Sequence, residues 1–414
     1  MKTSLSLCAL LILLSTSHAE NWPGWRGANG LGQSTAKDLP LTWGPTEHIR
    51  WKTPLPDTGN ASPVVWGDNI FLTQATNKGT KRGILCIDRA TGKVKWGTYI
   101  DFAGAEPTHD TNPFGSATCV TDGERVITSL GSAGLFCVDF NGKELWRKDL
   151  GEFIHIWGNA SSPVLHGDHV ILWCGPGERQ FLIALNKKTG DEVWRHEEAG
   201  GDSGLKKGDK WIGSWSTPVI AKIGDREELL LSVPKSMKSF DPKTGKELWH
   251  CDGLTELVYT SPVLAPDGTV IAMSGYGGSA LAVKAGGTGD MTKERLWHHP
   301  RNPQRIGSAV VVGDHAYLVN EPGLASCFEL KTGKDLWKQE RLMGSTWGSL
   351  VRAGDRMYVT SRDGETVVLK ADPAKMDVLA RNKLPDTVLA SIAIADGELL
   401  IRGYKFLWCV SAKK

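Results

Sequence analysis

Short apolar runs separated by turn residues recur along almost the whole chain. One unit, Ser62 to Trp96, reads SPVVWGDNIFLTQATNKGTKRGILCIDRATGKVKW. It divides into PVVW, a Gly-Asp turn, NIFLTQA, a polar loop, GILCID, a Thr-Gly turn and KVKW. Runs this short, bounded by Gly, Asp and Asn, predict four consecutive β-strands. Glycine supplies the positive φ that tight hairpin turns need, while Asp or Asn can bond the turn's own backbone. The Gly-Asp or Asp-Gly turn comes back at Gly67-Asp68, Asp122-Gly123, Gly167-Asp168, Gly224-Asp225, Asp267-Gly268, Gly313-Asp314, Gly354-Asp355 and Asp396-Gly397. Four short strands repeated at roughly 41 to 57 residues match a propeller blade.

The eighth unit, from Ser391, stops at Lys414 after three strands. EHIRWKTPL, Glu47 to Leu55, has the character of the missing fourth strand, with Trp51 at its anchor position. The expected fold is therefore all-β: an eight-bladed β-propeller of four-stranded antiparallel blades, closed by an N-terminal strand that completes the last blade. Such closure hides the sheet edges that an open repeat array would expose.

A second repeated phrase ends most units. Asp241 to Trp249 is DPKTGKELW, Asp88 to Trp96 DRATGKVKW, Asp139 to Trp146 DFNGKELW, Asn186 to Trp194 NKKTGDEVW and Glu329 to Trp337 ELKTGKDLW. Gly289 to Trp297, GDMTKERLW, is looser. The Trp of each phrase is expected to pack against the neighbouring blade with its indole N–H on a carbonyl. Two residues before each phrase's Asp stands a small-residue column, Cys86, Cys137, Ala184, Ser239 and Cys327, continued by Ala282, Val368 and Cys409. Cysteine meets a demand for a small buried residue there, so these thiols are expected to be free and structural.

Composition agrees with this picture: 48 Gly and 17 Trp suit many tight turns and a recurring large anchor. A formal net charge of +2 gives no electrostatic reason for a nucleic-acid or membrane-surface partner. Residues 1–19 carry a short apolar run from Leu5 to Leu14 and a Ser17-His18-Ala19 cleavage signal, expected to be an export leader. The run is too short to span a bilayer. Residues 20–46 then form an N-terminal arm with Trp22, Trp25 and Trp43, and 47–414 the propeller. The arm is expected to lie over the outer blades or one mouth of the ring. The mature chain is expected to be periplasmic or secreted, without a lipid anchor, and monomeric.

The phrase resembles the tryptophan-docking motif of the pyrroloquinoline-quinone-like (PQQ-like) β-propeller superfamily. NWPGWRGANGLG at Asn21 to Gly32, LPLTWGPTEHIRWKTPLP at Leu39 to Pro56 and HDTNPFGSATCVTDGERV at His109 to Val126 are similar to a secreted bacterial, planctomycete-type subgroup. The superfamily includes quinoprotein dehydrogenases and a non-catalytic periplasmic scaffold of outer-membrane protein assembly. The enzymatic branch would bring PQQ with Ca²⁺, held by an acid and an amide, and often a vicinal disulfide. This chain has no adjacent cysteine pair and no Cys-x-x-Cys-His haem site. The resemblance thus implies a binding or scaffold protein first, and a PQQ-dependent sugar or alcohol dehydrogenase as the alternative.

The loops leading into the innermost strands are the least repetitive part of each unit, so their side chains need another explanation than blade packing. Asn60, Asn112, Trp157, Asn159, Trp211, Trp215, Tyr259, Arg305 and Trp347 are expected to converge at one channel mouth. An aromatic and amide ring with one Arg suits a protein segment or a small, flat, partly polar ligand. No catalytic residue and no metal ligand is assigned. His166 and His169 flank a repeat turn, His298-His299 follow an anchor Trp, and His109-Asp110 lacks a third partner.

Overall fold

The computed structural model describes residues 20–302 and 306–412, so the leader and Arg305 lie outside the described residues. Its strands form eight antiparallel sheets in chain order, one per blade. Blade one comprises Val64–Trp66, Asn69–Thr76, Lys81–Asp88 and Val94–Asp101. Blades two to seven occupy 120–148, 164–198, 219–252, 263–299, 310–341 and 351–383. Blade eight joins Ala393–Ala395, Glu398–Arg402 and Phe406–Ser411 to Ile49–Pro54 from the other end of the chain. Trp51 stands opposite Cys409 and Thr53 opposite Leu407. No helix among the described residues is long and apolar enough to cross a membrane.

Blade joints explain why the phrase needs both its Gly and its Trp. The indole N–H groups of Trp51, Trp96, Trp146, Trp194, Trp297 and Trp337 donate to Arg89 O, Phe140 O, Lys187 O, Pro242 O, Leu330 O and Asp372 O of the next blade, at 2.8 to 3.2 Å. A Cβ added to Gly92, Gly142, Gly190, Gly245 or Gly333 would lie 2.4 to 2.8 Å from the indole of the preceding blade's Trp. All five also have φ between +69° and +83°. Each turn glycine is therefore required twice, by its backbone and as the seat for an indole.

Trp249 departs from the expected carbonyl docking. Its indole N–H donates to Glu228 Oε2 within its own blade at 2.7 Å, where Ser239 Oγ also donates and Arg226 pairs with the other carboxylate oxygen. The reason lies in the next blade, where the turn reads AGGTGD at 285–290 in place of the phrase. Gly289–Asp290 adds instead as a parallel strand to the outer edge of blade four, opposite Trp249 and His250. Blade seven has no anchor at all: Ala380 stands opposite Val368.

The small-residue column lies directly across from the anchors, with Cys86 opposite Trp96, Cys137 opposite Trp146 and Ala184 opposite Trp194. Cys86, Cys119, Cys137, Cys174, Cys251, Cys327 and Cys409 are all buried and free. Burial pushes the Cys86 thiol up to about 12, which suits a space-filling residue rather than a nucleophile.

Residues 22–34 of the arm run against the innermost strands of the ring. Trp22 exchanges backbone hydrogen bonds with Val65, Thr121 N donates to Pro23 O, and Arg26 Nη2 donates to Ala309 O at 2.6 Å and Leu350 O at 3.2 Å. Gln33–Ser34 then adds in parallel to the first strand of blade seven. One short segment thus touches the first strands of blades one, two, six and seven. It lies against the inner ends of these blades. Trp43, also buried, takes Asn382 Oδ1 as acceptor for its backbone N–H on blade seven.

Candidate functional site

Just before each first strand the repeat places a hydroxyl: Ser62, Thr118, Ser162, Thr217, Ser261, Ser308, Ser349 and Ser391. The backbone N–H of each donates to the hydroxyl of the next blade's residue, in seven links of 2.8 to 3.1 Å running from Ser62 to Ser391. This belt holds the first strands at a fixed spacing around the channel. Above it opens a cavity of about 290 Å³, lined by seven of the eight belt residues. Trp25 of the arm also lines it.

One wall is aromatic. Trp157 and Trp215 have ring centroids 5.9 Å apart, Trp215 and Tyr259 5.0 Å, and Tyr259 and Tyr276 5.6 Å. Trp215 Nε1 donates to Gly158 O at 2.8 Å and so ties the blade-four loop to the blade-three loop. Behind them His155, fully buried, meets Trp215 edge-on at 4.9 Å. Its Nδ1 accepts the Trp157 backbone N–H.

The sequence-predicted residues fall into groups. Asn60, Asn112, Trp157, Trp215, Tyr259 and Trp347 line the cavity together. Trp211 stands at the rim, 45% exposed, 5.5 Å from Trp157, with φ +54°. Asn159 does not reach the cavity: its amide donates to Glu106 Oε1 at 2.7 Å. Glu106 is a buried carboxylate that also takes Arg82 Nη1 at 2.6 Å and Ser132 N at 3.0 Å, and its remaining lone pairs draw Asn159 away. Arg82 in turn lies between the Phe102 and Phe114 rings. Arg305 lies outside the described residues.

Asn60 and Asn112 both hold loop backbone, through Asn60 Nδ2 to Thr111 O and Asn112 Nδ2 to Trp157 O. Asn60 Oδ1 is buried and accepts no hydrogen bond among the described residues. Sequence reasoning missed His155, Tyr276 and the hydroxyl belt, and gave Trp25 only as an arm residue over the outer blades or one mouth of the ring. The belt had a signal, the Ser-Pro or Ser/Thr that opens each unit, which was read only as strand punctuation. His109 does line the cavity, beside Asp110 and Thr111 at 2.7 Å each.

Burial holds His155 down from 6.5 to about 4, against a weaker opposing pull from Asp209. A depressed folded value means that the unfolded chain binds the proton first, so this contribution is intact above about pH 6.5 and is lost as pH falls toward 4. The full span corresponds to roughly 3 kcal/mol. The difference in unfolding free energy between the native chain and His155→Phe is expected to narrow by about that amount between pH 7 and pH 4. Parallel urea curves at a series of pH values check it, and a constant difference would contradict it.

No Asp, Glu, Lys or Arg is found among the described lining residues. Elsewhere, His196, Glu198 and Glu247 are close enough to share an ion. Lys238 Nζ already stands 2.6 Å from Glu198 and 3.1 Å from Glu247, filling the place a cation would take.

A family model described as outer membrane protein assembly factor BamB matches residues 81–339 and 323–408. The outer membrane protein assembly factor BamB of Burkholderia pseudomallei is 24% identical over 353 residues, covering 82% of this chain and 80% of the relative. Among solved structures, BamB from Moraxella catarrhalis superposes with a TM-score of 0.63 at 15% identity, covering 88% of this chain and 97% of its own. Quinohemoprotein alcohol dehydrogenase from Comamonas testosteroni gives 0.71 at 14% identity, over 95% and 81%. A calcium-bound quinone needs hard oxygen ligands, carboxylates foremost. The described lining residues offer amides, hydroxyls, aromatics and His109 but no carboxylate, and so do not fit that group.

Proposed function

The chain belongs to the PQQ-like β-propeller family, and we propose that it is an exported, monomeric propeller that binds a ligand or a partner's segment in the cavity at its channel mouth, without chemistry of its own. The observation that carries this reading is the lining itself. Six of the nine loop residues singled out by sequence line it together, on a surface of aromatic and polar side chains. Such surfaces select by shape and hydrogen bonding rather than by charge. The likeness to assembly factors supports a binding role, since those relatives are described by assembly rather than by a reaction. A PQQ-dependent sugar or alcohol oxidoreductase is the second reading, supported by the superposition on quinoprotein dehydrogenases, and superposition at this identity speaks for fold alone.

Purified protein incubated with PQQ and Ca²⁺ separates the two. The expected result is quinone absorbance that leaves the protein on gel filtration, and no dye reduction with alcohols or sugars. A retained stoichiometric quinone together with dye-linked turnover would overturn the binding reading.

A further inference from the structure

We propose that the cavity takes the terminal unit of a neutral saccharide, an inference that rests on the cavity being a ligand site. Seven of the eight belt hydroxyls, all but Ser62, use a lone pair to accept the preceding blade's N–H. Six of these line the cavity, and their own O–H groups donate to no described residue, which leaves them for a ligand. Asn60 is committed to the loop, with its Nδ2 on Thr111 O and its Oδ1 buried, so the belt donors set the requirement. A ligand seated on them must offer several acceptors around one ring, as the hydroxyl and ring oxygens of a sugar do.

Charge and shape narrow the class further. Among the described lining residues the one basic side chain is His109, already beside the Asp110 carboxylate, so the described wall offers an ionic group little compensation for lost water. A sugar ring carries apolar C–H faces for Trp157, Trp215 and Tyr259, and a hydroxyl edge for the belt. An extended peptide is a poorer match, because it binds by adding to free strand edges and the belt's backbone N–H groups are already used. At about 290 Å³ the cavity is at the small end of ligand pockets, which suits a terminal sugar rather than a buried chain.

Trp211 extends the surface outward. Its exposed indole stands against Trp157, and its left-handed backbone is a conformation that bulky residues rarely hold. Strain of that kind clusters where a side chain is presented for use. The next sugar unit along the chain would lie on it.

The test uses the full mature chain in calorimetric and tryptophan-fluorescence titrations. The probes are neutral gluco-, manno-, galacto- and N-acetylhexosamine disaccharides, an acidic uronic disaccharide and a neutral tetrapeptide. Saturable binding of at least one neutral disaccharide is expected, with the acidic sugar and the peptide inert. Trp157→Ala is expected to weaken it about tenfold and Trp211→Ala about threefold. Trp211 is exposed, so that variant reports even if Trp157→Ala fails to fold. Failure of every neutral sugar overturns the saccharide assignment. If the peptide or acidic sugar then binds in a Trp157-dependent way, the cavity still stands as a ligand site. Neutral-sugar binding unchanged in Trp211→Ala and in a folded Trp157→Ala also overturns the assignment.

Discussion

Trp249→Ala is expected to cost about 5 kcal/mol, more than the same change at any other anchor. Trp249 is fully buried, and truncating a buried aromatic costs about 3–5 kcal/mol by itself. The change also removes one of the donors to Glu228, a carboxylate with no exposed surface. A buried acceptor deprived of a donor adds about 1–3 kcal/mol. Trp96, half-buried and bonded to a main-chain carbonyl, is the comparison: Trp96→Ala is expected to cost about 2–3 kcal/mol. Urea unfolding of the two variants measures the contrast, and Trp249→Phe isolates the lost hydrogen bond. Because Trp249 lies outside the cavity lining, ligand affinity should not change in the folded fraction. Equal costs at the two positions would contradict the role given to Glu228.

Most of the ring was legible because its signals are local. Apolar runs, Gly-Asp turns and the Thr-Gly phrase each lie within a few residues, and together they count the blades and identify Ile49–Pro54 as the closing strand. What escaped was set by partners far along the chain. Nothing in DPKTGKELW says that this one Trp turns inward, since its acceptor is 21 residues earlier on another strand. The loose copy GDMTKERLW was the only hint that blade five lacks the docking turn. The same limit applies at the site. In the loop HIWGN, Trp157 faces the cavity while Asn159, two residues on, is claimed by Glu106, and the spacing of the residues does not distinguish them. The arm carries no periodicity, so its contacts with the inner strands followed from neither pattern nor composition. Tyr276 was hidden in a Gly-rich hairpin turn, GYGG, where an aromatic has no role in the turn itself.

Replacing residues 49–54 by Gly and Ser, with the arm left in place, is expected to abolish cooperative folding, a loss on the order of the whole stability of a domain, about 5–15 kcal/mol. That strand covers the edge of Phe406–Ser411 and joins the last blade to the first. Trp51 Nε1 reaches Arg89 O and Thr53 Oγ1 reaches Gly92 O, both in blade one. Glu398 of blade eight, buried, is held between Arg50 of the closing strand and Arg89 of blade one. Without the strand, Glu398 keeps one of its two cations, an edge of blade eight is bared, and the Gly92 seat is empty. Local propensity cannot replace these contacts, because each joins residues at least 38 positions apart in the chain. Grafting IRWKTP after residue 412 through a short turn, in the same Gly/Ser-substituted chain, is expected to restore a single sharp melt, since the antiparallel pairing with Phe406–Ser411 then becomes an ordinary hairpin. Circular dichroism melts of the two chains decide it. A substituted chain that melts as sharply and as high as the native protein would mean that the ring does not depend on this clasp.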